Sequence, residues 1–496
     1  MKHNRTLSIL LLSALLASTA CGSTGTPAND TTASDGDSVT TTAPVSETTV
    51  VNLESSGLEI KDFGGDDFNV FQLDDSSVYF RIDTDESNGE PFNDAIYKRN
   101  SKIEEKYNVN IITTLCASNK FNATVRQIVK SGDGEHDLVY GTIEHLFGRS
   151  REGLFLDWST LPYTDLDAKW WNQQIIDQLT VGGKIYVMEG DLSAHSETRV
   201  YTMLFNKQMC RDLNLEMPYQ LVRDGKWTVD AFKGYITNVN SDLNGDSKMD
   251  TEDRWGFLSE YGYAYSQYIS DGGRLIDTDS DGNLQIILNE GGNMDRLIDA
   301  ITLGIDPEIT ISAQNYWSSD GGKSTDWTSV TAWFASGKAM FRCTGFSAGI
   351  NLRKHDLDFG VLPYPKYDEN QKEYYSCAGY SSGSFAVPIT ADPAYSSLIT
   401  EALAIESVST ISPAFYDICL DGKVVRDEES KEMLDIIFAS QIYDLGFMCN
   451  LMDIRTAVND LVKNNSTDAA STFAAKMEKG KADLQKLIDD YAKLEA

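Results

Sequence analysis

"FNDAIYKRNSKIEEKYNVNIITTL", residues 92–115, changes period part-way along. Through residue 107 the apolar residues Ile96, Ile103 and Tyr107 fall on one face of a helix. From Val109 the residues are β-branched and few, which predicts a short strand over 109–115. The pattern continues on both sides. "FNVFQL" (68–73) reads as a strand, "FNATVRQIVKSG" (121–132) as a helix ended by Gly132, and "HDLVYG" (136–141) as another strand. Strand, helix, strand, helix, strand is the order of a parallel sheet with helices on its faces. The rhythm resumes in "FGVLPYP" (359–365) and "SFAVPIT" (384–390), and Phe473, Met477, Leu484, Leu487, Ile488 and Tyr491 predict a C-terminal helix.

The chain is 496 residues long with a net charge of −33, so it is long enough for two or three domains. That acidity argues against nucleic-acid partners and against docking on anionic membranes. Residues 1–21 carry Lys2 and Arg5, an apolar run from Leu7 to Ala17, then small residues, which is the layout of an export signal. It ends at Cys21, between Ala20 and Gly22, and is similar to a bacterial lipobox, with Ser18 as the departure. Cys21 is therefore expected to be lipidated, holding the protein on the outer face of the cell membrane. Residues 22–65 are expected to form a flexible tether, because up to residue 57 they are rich in Ser, Thr, Gly and Asp and hold no aromatic residue. Cys116, Cys210, Cys343, Cys377, Cys419 and Cys449 contain no C-x-x-C pair, and their redox state is left open.

Several chemistries are excluded by spacing. "GYSSG" (379–383) has the form of a nucleophile elbow, but no histidine follows Ser381 to complete the triad order. No H-x-x-x-H pair and no phosphate-binding glycine loop is present. Nothing singles out a pair of carboxylates for glycoside hydrolysis. No enzymatic activity is expected.

"DLNGDSKMDTED" (242–253) places Asp242, Asn244, Asp246, Asp250 and Asp253 at positions 1, 3, 5, 9 and 12 of a calcium-binding loop, with the Lys248 carbonyl at position 7. Ser247 stands at position 6, where a glycine is usual. A single loop of this kind is expected to be a structural calcium clip. "DTDSDGNLQ" (277–285) begins alike but has Leu288 at position 12 and reads as a hairpin turn.

Six further stretches carry a resemblance. They are "GDGEHDLVYG" (132–141), "VGGKIYVMEGDLS" (181–193), "MLFNKQM" (203–209), "WTVDAFKGY" (227–235), "FASGKAMFRCTGF" (334–346) and "DFGVLPYPKYDE" (358–369). In this order they resemble the extracellular solute-binding proteins of sugar ABC importers, the group that includes maltose-binding protein. The resemblance implies a two-lobed α/β fold of the type II periplasmic-binding-protein class with ligand in the cleft between lobes. It implies crossings near Thr198, Tyr380 and Cys449. The first lobe would then span 66–198 and 382–445, and the second 199–380 and 447–496. The implied partners are a carbohydrate, an oligosaccharide by preference, and the permease subunits of an importer, with the protein a monomer. Peptides, another small molecule, or a role as a surface glycan adhesin or sensor without a transporter are the alternatives.

Aromatic rings stack on the C–H faces of sugars while carboxylates and guanidinium groups bond the rims. Candidates for the cleft are Trp170 and Trp171 in "KWWNQQ", and Glu197 and Arg199 beside the first crossing. Tyr261 and Tyr263 lie in a tyrosine-rich stretch that matches the family's sugar-contacting loop, and Phe346 matches a family stacking position. Trp317 and Tyr380 complete the set, whereas Trp333 reads as core.

Overall fold

A computed structural model describes residues 52–314, 327–420 and 427–494, without the side chains of 419–420. β1 (Asp66–Leu73), β2 (Val109–Cys116), β3 (Leu138–Thr142) and β12 (Gly383–Ala386) form the first sheet, in the order β12-β3-β1-β2. β1 is parallel to both neighbours and β12 is antiparallel to β3. The helix Pro91–Tyr107 joins β1 to β2, and the helix Ser118–Ser131 joins β2 to β3. The first begins at Glu90, whose side chain accepts from the Asn93 amide at 2.9 Å, and ends at Asn108, which takes φ 50° to turn the chain into β2.

β4 (Tyr201–Asn206), β5 (Trp255–Ser259), β8 (Thr310–Ser312), β9 (Ala339–Gly345) and β10 (Phe359–Leu362) form the second sheet, in the order β10-β4-β9-β5-β8. Phe341 centres its inner face, stacked at 5.9 Å on both Phe205 and Trp227 and edge-on to Phe232 at 5.2 Å. The Trp227 indole N–H donates to Pro363 O at 3.0 Å, which satisfies its polar atom in the core. A small hairpin, β6 (Ile276–Thr278) with β7 (Leu284–Ile286), stands where "DTDSDGNLQ" was read as a turn.

Three stretches of chain link the sheets. The first is the short helix His195–Arg199, running directly into β4. The second and third run side by side as β11 (Ser376–Cys377) and β13 (Gln441–Ile442), paired in parallel. Gly379 lets the first and second meet. A β-carbon there would stand 2.6 Å from the Arg199 carbonyl oxygen, closer than real contacts allow.

Three expected boundaries need correction. The tether does not reach residue 65. Leu53 is buried, and the Glu54 carboxylate bonds Lys102 and Lys106 at 3.3 and 2.9 Å, fastening this stretch to the helix Pro91–Tyr107. The helix Glu428–Ala439, expected in the first lobe, packs on the second sheet. Met433 joins the core around Phe341, and the Ser430 hydroxyl accepts from the Val361 amide at 3.2 Å. Leu434 and Ile437 join a second cluster that runs unbroken from Phe92 and Ile96 to Leu204 and Val361. The C-terminal helix Met477–Lys493 spans both lobes. Gly480 lies against Met452 and the β7 residue Ile286, whereas the Tyr491 hydroxyl meets Ser150 Oγ at 2.6 Å and its ring meets Tyr186.

Candidate functional site

The three linking stretches bring charged and aromatic side chains together between the two sheets. At the first, the Arg199 Nε donates to His195 Nε2 at 2.9 Å, and its Nη2 stands 3.8 Å from Asp75 of the first lobe. His195 is buried, and burial, with the Arg199 charge beside it, holds its pKa well below the ordinary value. The imidazole is therefore neutral and accepts through Nε2. Glu197 accepts from the Ser196 hydroxyl at 2.8 Å, and burial pushes its pKa up.

The C-terminal ends of β5 and β9 face the same region. Glu260 follows β5, and burial pushes its carboxyl up to about 7 against the pull of Arg342. Arg342 in β9 is buried, donates from Nη1 to Thr331 Oγ1 at 2.9 Å, and is pushed down to about 10 by burial. Glu260 Oε1 and the Tyr201 hydroxyl both lie within 4 Å of the point where a β-carbon on Gly262 would stand. A carboxyl and a phenol therefore converge on the turn before the helix Tyr263–Ser270.

At the second linking stretch the Tyr380 ring lies under the Arg455 guanidinium, 4.4 Å away, and edge-on to Phe447 at 5.7 Å. Arg455 Nη2 pairs with Glu144 Oε1 at 3.2 Å. Beneath this layer Glu189 is buried and takes hydroxyl hydrogen bonds from Ser382 and Tyr443, joining the second and third stretches to the first lobe. Burial nonetheless pushes Glu189 up to about 8. Asp444 does the matching task toward the second lobe, accepting from the Leu275 amide at 2.7 Å and the Phe447 amide at 2.9 Å.

The structure brings Glu197, Arg199 and Tyr380 to the linking stretches, and leaves Tyr261 half-buried beside Glu260. It removes four others from the cleft lining. Trp170 and Trp171 are both buried, and both indole N–H groups donate to Glu401, at 2.9 and 3.0 Å. Neither presents a face to the cleft. Tyr263 is fully buried with its ring edge-on to Phe257 at 4.9 Å. Phe346 is fully buried with its ring edge-on to Phe438 at 5.9 Å. Trp317 and Cys21 lie outside the described residues.

Tyr201, Glu260, Arg342 and Arg455 were not singled out in the sequence. Their signal was present for two of them: Arg342 interrupts the apolar strand "AMFRCTG", and Glu260 directly follows "WGFLS". A charge in a strand that is otherwise buried needs a partner or a function.

The loop 242–253 folds on its own amides. Asp242 accepts from Gly245 and Ser247 at 2.6 and 2.8 Å, and Asp253 accepts from Leu243 and Asp250 at 2.8 and 2.9 Å. Ser247 takes φ 65°, the left-handed turn that the sixth position demands. Among the described residues no group of three or more His, Cys, Asp or Glu side chains converges as a metal cluster. Cys116, Cys210, Cys343, Cys377 and Cys449 are free thiols.

No protein-family model and no curated protein matches this chain. Solved structures do match its fold. An ABC substrate-binding protein from Listeria monocytogenes in complex with cycloalternan is 14% identical with a TM-score of 0.53, over 86% of this chain and 99% of that one. The maltose/maltodextrin-binding domain MalE from Bdellovibrio bacteriovorus bound to maltotriose is 13% identical with a TM-score of 0.51, over 85% and 100%. A sugar transporter from Rhizobium etli in an open conformation is 14% identical with a TM-score of 0.54, over 86% and 100%. The fold is thus the two-lobed α/β fold of solute-binding proteins.

Proposed function

We propose that this chain is a lipid-anchored, extracellular substrate-binding protein that captures an oligosaccharide for import by an ABC transporter. The observation that carries the reading is the cleft floor. The Tyr201 and Tyr380 rings, the Glu197 and Glu260 carboxyls and the Arg199 guanidinium lie between two lobes that three linking stretches join. Aromatic rings bordered by hydrogen-bonding groups suit a sugar, whose apolar faces alternate with hydroxyls. Binding without turnover is expected. Hinge closure of the lobes around ligand would present the loaded form to the permease. Lipidation at Cys21 fits the residues around it, and among the described residues no helix is long and apolar enough to cross a membrane.

Calorimetric titration of the folded protein with a bound oligosaccharide tests the site. At about pH 8, where this carboxyl is ionised, Glu260→Ala is expected to weaken binding about 10- to 100-fold, the worth of one hydrogen bond to a charged group. Unchanged affinity would take Glu260 out of the site.

The loop 242–253 is proposed to hold one structural calcium through Asp242, Asn244, Asp246, the Lys248 carbonyl, Asp250 and Asp253. These are hard oxygen donors at the right spacing, and Ser247 already holds the required turn. Calcium at 100 times its dissociation constant should add about 2.7 kcal/mol of stability. A chelator is therefore expected to lower the melting temperature without abolishing ligand binding. Identical melting with and without chelator would contradict the clip.

A further inference from the structure

The chain carries 75 acidic residues against 42 lysines and arginines, yet Arg199 and Arg455 both stand beside the linking stretches. The Gly379 backbone is pressed against Arg199, and the Arg455 guanidinium lies over the Tyr380 ring. Arg455 is held incompletely. Its Nη2 meets a single oxygen of Glu144, and its Nη1 is buried without a hydrogen-bond partner. A guanidinium N–H without an acceptor is free to take one from a ligand.

The two partners come from opposite lobes. Glu144 stands on the helix Ile143–Ser150, which follows β3 and packs beside β12 of the first sheet. Arg455 stands on the helix Ile454–Lys463, which packs on the helices Tyr263–Ser270 and Asn293–Ile305 of the second lobe. Separation of the lobes would break the Glu144–Arg455 pair and bare a planar fork of donors stacked on a tyrosine. That fork matches a carboxylate bidentately, which the one-oxygen contact from half-exposed Glu144 does not do.

We propose that the ligand is an acidic oligosaccharide, built of uronic acid residues, whose carboxylate displaces Glu144 from Arg455 while its ring lies over the tyrosines of the cleft floor. The inference rests on the reading of the cleft as a sugar site and names the class of sugar. Glu144 is the internal stand-in for the ligand carboxylate. A neutral sugar would offer the fork only hydroxyl oxygens, without the charge and the bidentate geometry of a carboxylate.

The test is calorimetric titration of the full-length protein with a galacturonate trimer and with maltotriose, each at low and high salt. The acidic trimer is expected to bind at least about 30-fold more tightly, within the range of a charge-assisted bidentate pair. Its affinity should fall with salt. Arg455→Met is expected to erase the preference. Glu144→Gln, at a half-exposed position, is expected to tighten the acidic trimer several-fold by removing the competing carboxylate. This second variant keeps the test decisive if Arg455→Met fails to fold. Binding of maltotriose as tight as that of galacturonate would overturn the acidic-ligand inference and leave the sugar-site reading standing. Looser binding of galacturonate to Glu144→Gln would also overturn the inference. Binding of neither sugar to folded protein would overturn the inference and count against the sugar-site reading.

Discussion

The protein is expected to become more stable as the pH falls from about 8 to 6.5. Burial pushes Glu189 up to about 8 and Asp137, Glu260 and Glu401 up to about 7. In the unfolded chain these groups stay ionised throughout that window, since their ordinary values lie near 4. As the pH drops, the folded state takes up protons that the unfolded state does not, so stability rises with falling pH. A tenfold difference in proton affinity between the folded and unfolded states is worth about 1.4 kcal/mol, so four groups sharing the window should together contribute several kcal/mol. The net charge of −33 acts in the same sense, because protonation relieves self-repulsion. His136, His145 and His195 act in the opposite sense, as burial lowers all three. Their unfolded value is near 6.5, so their stabilising share is lost mainly below the window. Scanning calorimetry at about pH 8, 7 and 6.5 is expected to give a melting temperature that climbs by several degrees. A flat or falling series would mean that these carboxyls are ionised in the folded protein.

Arg99→Ala is expected to destabilise the fold by about 3–5 kcal/mol, a large part of an ordinary domain's 5–15 kcal/mol. Arg99 is fully buried on the inner face of the helix Pro91–Tyr107. Its guanidinium donates to Leu192 O at 2.8 Å, to Ser407 Oγ at 3.3 Å, to Asn100 Oδ1 at 2.9 Å and to Ile82 O. One side chain thus ties the segment after β1, the approach to the first linking stretch and the helix Pro393–Ser407. Truncation would empty a large space, leave the Leu192 carbonyl unpaired, and strip Asp83 of its nearby positive charge. Urea denaturation measures the effect. A loss below about 1 kcal/mol would mean that water replaces these bonds.

The first sheet was legible because its helices and strands differ in period and meet with little chain between them. Tyr107 ends a 3.6-residue stripe and Val109 starts an extended run, with only Asn108 between them. The place of the helix Glu428–Ala439 was not legible. Its apolar face is visible in Met433, Leu434 and Ile437, but the pattern does not say which sheet that face meets. The aromatic candidates failed for a related reason. A tryptophan fills a core as well as it stacks on a sugar, and Trp170 and Trp171 were claimed by Glu401. That partner had its own signal in the sequence, a carboxylate set in the apolar helix "PAYSSLITEALAIES". Glu197, Arg199 and Tyr380 lie on the linking stretches, because each sits where the chain passes between lobes.

Thermal melting of the folded protein against a panel of neutral and acidic oligosaccharides asks whether the cleft is a sugar site. A ligand present at 100 times its dissociation constant should add about 2.7 kcal/mol of stability. One class of oligosaccharide is expected to raise the melting temperature while the others leave it unchanged. A panel with no shift, for protein that melts cooperatively on its own, would contradict the sugar-binding account and favour a peptide ligand or a surface adhesin.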